Sequence, residues 1–223
     1  MYKYILFDLD ETLYPRSAGL MQEIGARITR YLIERVGFSP ETAQLKRRHY
    51  YTTYGTALRG LMLEESVDRE DYLTFVHDCD LAAYIRADAD LEAMLGRIPL
   101  TKTIFTNATQ EHARRVLEML GVAHHFARIV DIRATDFICK PDPAAYRRSL
   151  DLLGAQAGEC ILVEDNPRNL LPAGALGMTT ILVDHADCAE VDHCVSSILE
   201  VGDVVTRALK RLDPRMHTNN RED

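Results

Sequence analysis

Short apolar runs alternate with segments of helical periodicity along most of this chain, and this alternation limits the fold more strictly than any other feature. Five runs have the length and composition of buried strands: 4–9, 103–106, 128–131, 160–163 and 180–183. Three segments between them carry apolar residues three or four positions apart: 110–120, 143–153 and 169–176. Strands separated by helices pair in parallel through right-handed crossovers. The sequence therefore predicts an α/β fold with a doubly wound, parallel-sheet Rossmann-like core.

One gap is too long for this repeat. Residues 10 and 102 are 92 positions apart, whereas a strand–helix–strand unit needs about 30 residues. Four segments within the gap carry helical periodicity: 21–36, 40–51, 55–63 and 69–78. We therefore predict an inserted all-helical cap over residues 16–85 and an α/β catalytic core made of residues 1–15 and 86–223. The cap is expected above the carboxyl end of the first strand, where open α/β sheets bind ligands.

Composition and charge exclude several classes of protein. The 223 residues are 47% apolar and 27% charged, which is typical of a globular domain rather than of a disordered or fibrous chain. No apolar run approaches the roughly 18 residues that cross a bilayer, so no membrane partner is expected. The net charge of −8 argues against a nucleic-acid polymer as partner, because phosphate backbones are bound by clustered Lys and Arg.

The cysteines and the amino terminus indicate a cellular location. The first strand begins too close to residue 1 to leave room for a secretory leader. Five cysteines form no CxxC pair and leave an odd one over, a pattern typical of a reducing compartment, so we expect a cytoplasmic protein. We interpret the segment that contains His185, Cys188, His193 and Cys194 as a surface turn rather than a metal-binding hairpin. The polar stretch 214–223 is expected to fray.

Polar residues follow the predicted strands at the edge where their carboxyl ends meet. Asp8 and Asp10 end the first strand, and the segment Thr106-Asn107-Ala108 follows the second and opens a helix. Lys140 precedes another helix. Four further polar residues follow the run 160–163: Glu164, Asp165, Asn166 and Asn169. Because a parallel sheet brings these ends together, we expect one crevice lined by all of them.

The charges in this crevice point to a metal ion. Carboxylates from Asp8, Asp10, Glu164 and Asp165 in one site repel one another. A divalent cation relieves that repulsion, and oxygen ligands favour Mg²⁺, which commonly keeps sites for water and substrate phosphate. Lys140 suits a phosphate or holds a carboxylate ionised. This combination is typical of phosphoryl transfer.

The two aspartates of the first strand suit different roles. Asp8, at the strand end, is placed to attack phosphorus and form an aspartyl-phosphate. Asp10, two residues on, would protonate the leaving oxygen and later deprotonate the hydrolytic water, which requires a pKa near neutrality. The Thr106 hydroxyl, with the N–H groups of Asn107 and Ala108 at a helix start, forms a site for the phosphate anion.

Four motifs in this order resemble those of the haloacid dehalogenase superfamily, the DxDxT aspartate-nucleophile phosphatases. They are FDLDETLYP, FTNA, KPDP and EDNPRN, and they cover residues 1–15 and 86–185. The resemblance implies that Asp8 is nucleophile and metal ligand, and that Asp10 is acid/base and ligates Mg²⁺ through its backbone carbonyl. It implies that Asp165 is the remaining metal ligand and that Thr106 and Lys140 hold phosphate. Two positions are carried over as alternatives: Glu164, either a direct ligand or a supporting group, and Asn169, a supporting residue.

The insert resembles a narrower branch. HYYTTYGTALRGL, at residues 49–61, together with Tyr14-Pro15 and His77-Asp78, is similar to pyrimidine 5′-nucleotidases. That resemblance implies hydrolysis of UMP- and CMP-like monophosphates, with cap residues on the base. An aromatic ring stacked on a base contributes about 1–3 kcal/mol. The candidates for substrate contact are Tyr50, Tyr54 and Arg59, for which packing within the cap is the alternative role.

Several functions remain open at this point. The expected partner is a small phosphorylated metabolite, and the main reading is a Mg²⁺-dependent phosphomonoesterase acting on a pyrimidine nucleoside 5′-monophosphate. The alternatives are a phosphatase or phosphomutase for another small metabolite, such as a sugar phosphate or phosphoglycolate. A non-catalytic binding protein on the same fold is a further alternative, since fold does not fix function. A dehalogenase is disfavoured because it needs neither Asp10 nor a metal cage.

Overall fold

The buried apolar runs pair into one parallel sheet in the computed structural model, which describes residues 1–185 and 189–212. In this part of the chain the strands are β1 Tyr4–Phe7, β2 Thr101–Phe105, β3 Phe126–Val130, β4 Cys160–Glu164, β5 Thr179–Val183 and β6 His193–Val195. They lie in the order β3-β2-β1-β4-β5-β6, and every pair is parallel. The predicted doubly wound α/β fold is confirmed.

Helices α5 to α9 cover this sheet. They are Ala89–Arg97, Gln110–Leu120, Pro143–Leu153, Pro167–Ala175 and Val201–Leu212. One apolar cluster, which includes Ile5, Phe7, Leu91 and Val116, fills one face of the sheet, and a second, which includes Leu6 and Leu162, fills the other. Alternate residues of β1 therefore point into opposite layers, as the pleat requires.

Four helices lie between β1 and α5. They are α1 Leu20–Glu34, α2 Pro40–Tyr54, α3 Ala57–Glu64 and α4 Arg69–His77. Side-chain caps start two of them, because Ser39 accepts from the N–H of Thr42 and Asp68 accepts from the N–H groups of Glu70 and Asp71. Their apolar side chains form a separate cluster around residues such as Tyr50, to which the core adds Ile132 and Cys139. We retain the boundary of the cap at residues 16–85 as a proposal.

Three elements differ from the sequence-based interpretation. The sequence does not predict α5 or α9, and residues 193–195 form edge strand β6 where a surface turn is expected. A strand of three residues is too short to show a period of two, so the register with β5 defines it, with Val183 opposite Val195. The predictions for Cys188 and for residues 214–223 lie outside the described residues. No helix in the described ranges is long and apolar enough to span a bilayer.

Candidate active site

A buried cluster of ions lies at the carboxyl ends of β1 and β4. Lys140 Nζ lies 2.7 Å from Asp8 Oδ1 and 2.6 Å from Glu164 Oε2. The side chains of Lys140 and Glu164 are each 1% exposed, so water screens neither charge. Phe7 of β1 is paired with Val163 of β4 in the sheet register. The residues that follow them are Asp8 and Glu164. Sheet register places the two carboxylates side by side, and Lys140 lies between them.

Burial changes how these groups ionise. Burial raises the pKa of Asp8 above its ordinary value, although the Lys140 ammonium opposes that change. Burial and the negative charge of Asp8 both raise the pKa of Glu164. Burial alone would lower the pKa of Lys140, but Asp8 and Glu164 outweigh it and raise that pKa. Lys140 therefore stays a cation. A single ammonium group cannot neutralise the carboxylates of both Asp8 and Glu164.

A third acid, Asp165, joins the cluster through hydroxyl and guanidinium contacts. Thr12 Oγ1 lies 3.3 Å from Asp165 Oδ1 and 3.4 Å from Asp8 Oδ2, so one hydroxyl connects the two carboxylates. Arg16 reaches Asp165 Oδ2 at 3.2 Å and Glu11 Oε2 at 3.0 Å. The Arg16 side chain is 60% exposed, which places this guanidinium at the mouth of the site.

The acids fit a divalent cation. Asp8, Glu164 and Asp165 each offer a carboxylate oxygen, and these three oxygens lie within 4.8 Å of one another. Oxygen donors of this charge select a hard cation such as Mg²⁺. Both alternatives for Glu164 have a basis in the geometry, since it belongs to this group and also contacts Lys140. The Asp10 carboxylate lies outside the group, and a role for the Asp10 backbone carbonyl stays a prediction.

Asp10 occupies a different environment. Its Oδ1 accepts a hydrogen bond from the Tyr14 hydroxyl at 2.7 Å and contacts His112 Nε2 at 3.1 Å. Burial tends to raise the pKa of Asp10, but the charge and hydrogen bond of His112 and the bond from Tyr14 outweigh it and lower that pKa. Without substrate the pKa of Asp10 therefore lies below its ordinary value, and the predicted acid/base role needs the negative charge of a bound phosphate to raise it. No described residue donates to Asp10 Oδ2, which leaves that oxygen for a substrate.

The loop that carries Lys140 is held by Asn107. The Asn107 side chain accepts from the backbone N–H of Lys140 at 2.8 Å and donates to the Lys140 carbonyl at 3.1 Å. This pair of bonds joins the end of β2 to the loop before α7. At the other acid, Asn169 Nδ2 donates to Glu164 Oε1 at 3.1 Å, in agreement with a supporting position for Asn169. Both amides orient the ion cluster.

The expected anion site differs in detail from the prediction. Helix α6 begins at Gln110 and is capped by Thr109, so Thr106, Asn107 and Ala108 form a turn before the helix rather than its start. The Ala108 N–H donates to Thr106 Oγ1 at 3.0 Å. Thr106 lies before the helix, and its hydroxyl accepts a hydrogen bond within a turn. The helix dipole and N-capping therefore give no argument for phosphate binding at Thr106.

A cavity of about 260 Å³ lies between the helices α1–α4 and the sheet edge. It is lined by the residues predicted for the chemistry: Asp8, Asp10, Thr106, Asn107, Lys140, Glu164, Asp165 and Asn169. The cap residues predicted to contact substrate do not line it. Tyr50 is fully buried and packs within the cap, and the Tyr54 hydroxyl donates to Glu64 Oε1 at 2.9 Å. Arg59 is also absent from the lining.

Other residues take these places. Tyr51 lines the cavity and accepts a hydrogen bond from Asn166 Nδ2 at 2.9 Å. His112 is 1% exposed and contacts Asp10. The only sequence signal for Tyr14 is its spacing of four residues from Asp10. Helical phase was the available signal for Tyr51, since consecutive residues of a helix are rotated by about 100° and Tyr51 therefore points away from the buried Tyr50.

The fold and the site define an enzyme whose chemistry rests on carboxylates and a lysine at the edge of a parallel sheet. Residues 2–177 match the family model of the haloacid dehalogenase-like hydrolases. The match covers most of the chain, and the protein belongs to that family of hydrolases. The resemblance to the superfamily is thereby confirmed.

Curated relatives span different shares of the chain. Phosphate metabolism protein 8 of Saccharomyces cerevisiae is 27% identical over 198 residues, 81% of this chain and 61% of the relative, so the chain spans less than two thirds of that relative. Phosphoglycolate phosphatase of Rhodospirillum rubrum is 28% identical over 207 residues, 83% of this chain and 80% of the relative. Phosphoserine phosphatase of Thermus thermophilus is 34% identical over 122 residues, 54% of this chain and 48% of the relative. None of these three names specifies a pyrimidine nucleotidase.

Solved structures share the fold. A HAD phosphatase from Thermococcus onnurineus superposes with a TM-score of 0.62 at 17% identity and covers 91% of this chain and 97% of its own. The L-2-haloacid dehalogenase from Xanthobacter autotrophicus gives a TM-score of 0.62 at 16% identity, with 92% and 99% covered. At such low identity, these structures establish the architecture and leave the reaction to the site.

Proposed function

We propose that this protein is a Mg²⁺-dependent phosphomonoesterase that works through an aspartyl-phosphate. The observation that carries the proposal is the buried cluster of Asp8, Lys140 and Glu164, with Asp165 beside it. Phosphoryl transfer needs this combination, because its transition state spreads negative charge over oxygens that cations must neutralise. Two of the relatives described above are named as phosphatases, for phosphoglycolate and for phosphoserine, which supports the same class of reaction.

The residues divide the work as follows. A carboxylate oxygen of Asp8 attacks phosphorus, the bond from phosphorus to the alcohol oxygen breaks, and that oxygen takes a proton from Asp10. Water then attacks phosphorus of the aspartyl-phosphate and gives a proton to Asp10. The bond from phosphorus to the Asp8 oxygen breaks, and this releases phosphate and restores Asp8. Asp8, Asp165 and the candidate ligand Glu164 would hold Mg²⁺, which supplies positive charge for the phosphate oxygens when bound. Lys140 supplies the second positive charge.

The geometry favours this reaction over a dehalogenase and over a non-catalytic binding protein. Haloacid dehalogenation needs no metal site, whereas the three acids here are grouped closely enough to share a cation. A phosphomutase would return the phosphoryl group to its substrate, so release of inorganic phosphate distinguishes the two. A non-catalytic binding protein would have no use for an Asp10 carboxylate with one oxygen anchored and the other available.

A pyrimidine nucleoside 5′-monophosphate is the substrate that we propose within this class. Tyr51 lines the cavity and is 49% exposed, so its ring offers a flat face for a base. The cavity volume of about 260 Å³ is near the lower end for ligand sites, which favours a single monophosphate over a larger cofactor. The second candidate is phosphoglycolate, which one relative's name supports.

The nucleophile is tested first. With p-nitrophenyl phosphate and Mg²⁺, we expect Asp8→Asn to lower kcat by about 10⁴-fold or more, because the attacking group is lost. The matched control is Asp151→Asn, an exposed aspartate of α7, which should keep wild-type turnover. EDTA should abolish activity and added Mg²⁺ should restore it. Turnover by Asp8→Asn at the wild-type rate would contradict the mechanism.

The substrate is tested by phosphate release from a panel. The panel contains UMP, CMP, AMP, GMP, phosphoglycolate and sugar phosphates, each compared by kcat/KM. We expect UMP and CMP to exceed phosphoglycolate and the sugar phosphates by about tenfold or more, the effect of one stacked base. We expect them to exceed AMP and GMP as well, because a purine is larger and the cavity is small. A flat profile would remove the pyrimidine proposal and leave the phosphatase proposal intact.

A further inference from the structure

The side of the cavity opposite the acids is an apolar wall. Met21, Ile24 and Ile28 line it from α1, and their spacing of three and four places them on one helix face. Leu73 and Val76 line it from α4, which packs against α1. Met21 and Ile28 are half-buried, although the apolar side chains deeper in the cap are fully covered. Met21 and Ile28 therefore expose apolar surface at the cavity, and Ile24, Leu73 and Val76 are buried beside them.

This wall carries no cation. Within the described residues, α1 to α4 contribute no Lys, Arg, Asp or Glu to the lining of the cavity. The one titratable base on this side is His77, and burial lowers its pKa to about 3, so the ring is neutral. A carboxylate placed against such a wall would lose its hydration without gaining a partner, which is costly.

The cations elsewhere in the lining are already engaged. Lys140 binds Asp8 and Glu164, and Arg16 binds Glu11 and Asp165. Arg168, at the sheet side of the mouth, donates from NH1 to the backbone carbonyl of Tyr51 at 2.9 Å. Among the described residues, Arg168 is thus the lining guanidinium whose hydrogen-bond partner is uncharged.

We infer that the wall formed by Met21, Ile24, Ile28, Leu73 and Val76 selects phosphate esters of uncharged alcohols with apolar surface and discriminates against leaving groups that bear a carboxylate. This inference rests on the proposed phosphatase reaction and adds the chemistry of the leaving group. A nucleoside meets the requirement, since it is uncharged and has a flat face. Glycolate and serine, the alcohol parts of the substrates in two relatives' names, do not.

A substrate series tests the wall on the wild-type enzyme. The substrates are methyl, propyl, butyl and phenyl phosphate, together with phosphoglycolate and phosphoserine, all with Mg²⁺. We expect kcat/KM to rise about fourfold per added methylene, the effect of burying one such group. Phosphoglycolate and phosphoserine should be poorer than propyl phosphate by about tenfold or more. A preference for either carboxylate substrate over propyl phosphate would overturn the inference.

Charge variants of the wall provide the second test. Met21→Lys and Ile28→Lys replace half-buried positions, so that either one suffices if the other does not fold. Each should raise kcat/KM for phosphoglycolate and lower it for phenyl phosphate, by about tenfold, because a charged contact is gained and an apolar one lost. The matched control, Leu45→Lys, makes a similar change at a cap position that is 67% exposed and outside the cavity, and should alter neither substrate. Unchanged selectivity in both folded wall variants would refute the inference.

Replacement of Arg168 provides a third test of the inference. If Arg168→Gln removes turnover of phosphoglycolate while phenyl phosphate is unaffected, Arg168 recognises a carboxylate and the inference is wrong. Equal effects on both substrates support it. Failure of the underlying reaction has a different signature, because a protein that is no phosphatase would release phosphate from none of these esters.

Discussion

Asp10 shows how one residue acquires its function from its neighbours. The Tyr14 hydroxyl and His112 both contact Oδ1, so the carboxylate is anchored through one oxygen. Its rotation is thereby restricted, and no described residue donates a hydrogen bond to Oδ2. Anchoring of this kind preorganises a proton donor, which contributes to rate through orientation. The same contacts lower the pKa of Asp10, after burial has acted in the opposite direction.

Replacement of Tyr14 tests this arrangement. Tyr14→Phe removes a hydrogen bond to the ionised form of Asp10, so the pKa of Asp10 should rise. We expect the descending limb of the pH profile of kcat, which reports the complex with substrate, to move to higher pH by about one unit, the effect of one hydrogen bond to a charged group. Tyr4→Phe is the control, because no described residue bonds to that hydroxyl. A limb that stays in place would show that Asp10 is not the group that titrates.

Residues at strand ends could be predicted from the sequence, and their supporting contacts could not. Asp8, Glu164 and Asp165 meet because parallel strands end at one edge, and a run of apolar residues followed by an acid is visible in a sequence. The contact of Thr12 with Asp165 depends on the turn at Glu11, whose φ of 63° is rare for a residue other than glycine. The contact of His112 with Asp10 depends on how α6 is placed against β1, and no local pattern encodes that placement.

Between α2 and α3, Gly55 lies directly against the loop that carries Lys140. Its φ is 92°, in the left-handed region, and a Cβ there would lie 2.7 Å from the Lys140 carbonyl oxygen and 2.9 Å from Pro141 Cδ. Cys139 Sγ donates to the backbone carbonyl of Tyr54, the residue before Gly55, at 3.2 Å. The junction of two cap helices thus contacts the backbone of a site residue, which couples the position of the cap to the ion cluster.

Substitution at this junction should therefore affect the site as well as stability. Gly55→Ala is expected to cost about 1 kcal/mol for its backbone conformation, and more for the close contact with the Lys140 loop. Gly37→Ala is a matched control, since Gly37 has a φ of 88° and nothing within 4 Å of its Cβ position. Thermal unfolding and kcat should be measured for both. We expect both variants to lose stability and Gly55→Ala alone to lose kcat, whereas equal effects on kcat would contradict the coupling.

Elements with strong local signals were predicted, and those defined by pairing were not. The structure assigns α2 to Pro40–Tyr54 and α4 to Arg69–His77, close to the predicted segments, because Ser39 and Asp68 cap them. Edge strand β6 has only the residues His193–Val195, and it exists because β5 offers it a partner. Helix α5 is an exception, because it was not predicted although Asp88 caps it and Leu91, Met94 and Leu95 form its buried face.

Across the whole molecule, cap and core are held together by polar contacts at several points. Arg133 binds Glu70 of α4 and Glu111 of α6. Arg115 of α6 donates to the backbone carbonyls of His77 and Cys79. These contacts are partly exposed, and each exposed ion pair contributes about 1 kcal/mol or less. The buried acids between cap and core are therefore the larger electrostatic influence on the stability of the whole protein.

Those acids make stability depend on pH and on metal together. The pKa values of Asp8 and Glu164 are raised by burial, so above the ordinary carboxyl pKa of about 4 the folded protein holds protons that the unfolded chain has released. The free energy of unfolding then falls as pH rises, by up to about 1.4 kcal/mol per pH unit for each proton. Burial lowers the pKa of His77, so below about pH 6.5 the unfolded chain takes up a proton that the folded protein does not. His77 therefore makes the free energy of unfolding rise with pH.

The shift in Tm caused by Mg²⁺ separates these two effects. A cation requires the carboxylates to be ionised, so its binding releases protons and strengthens with pH. We expect Mg²⁺ at about 10 mM, enough to fill the site, to raise Tm more at pH 8 than at pH 5.5. Glu164→Gln should weaken that pH dependence, because it removes one of the protons that binding displaces. The control Glu34→Gln, an exposed acid of α1, should behave as wild type. An equal shift at both pH values in the wild type would mean that the cation does not bind these buried carboxylates.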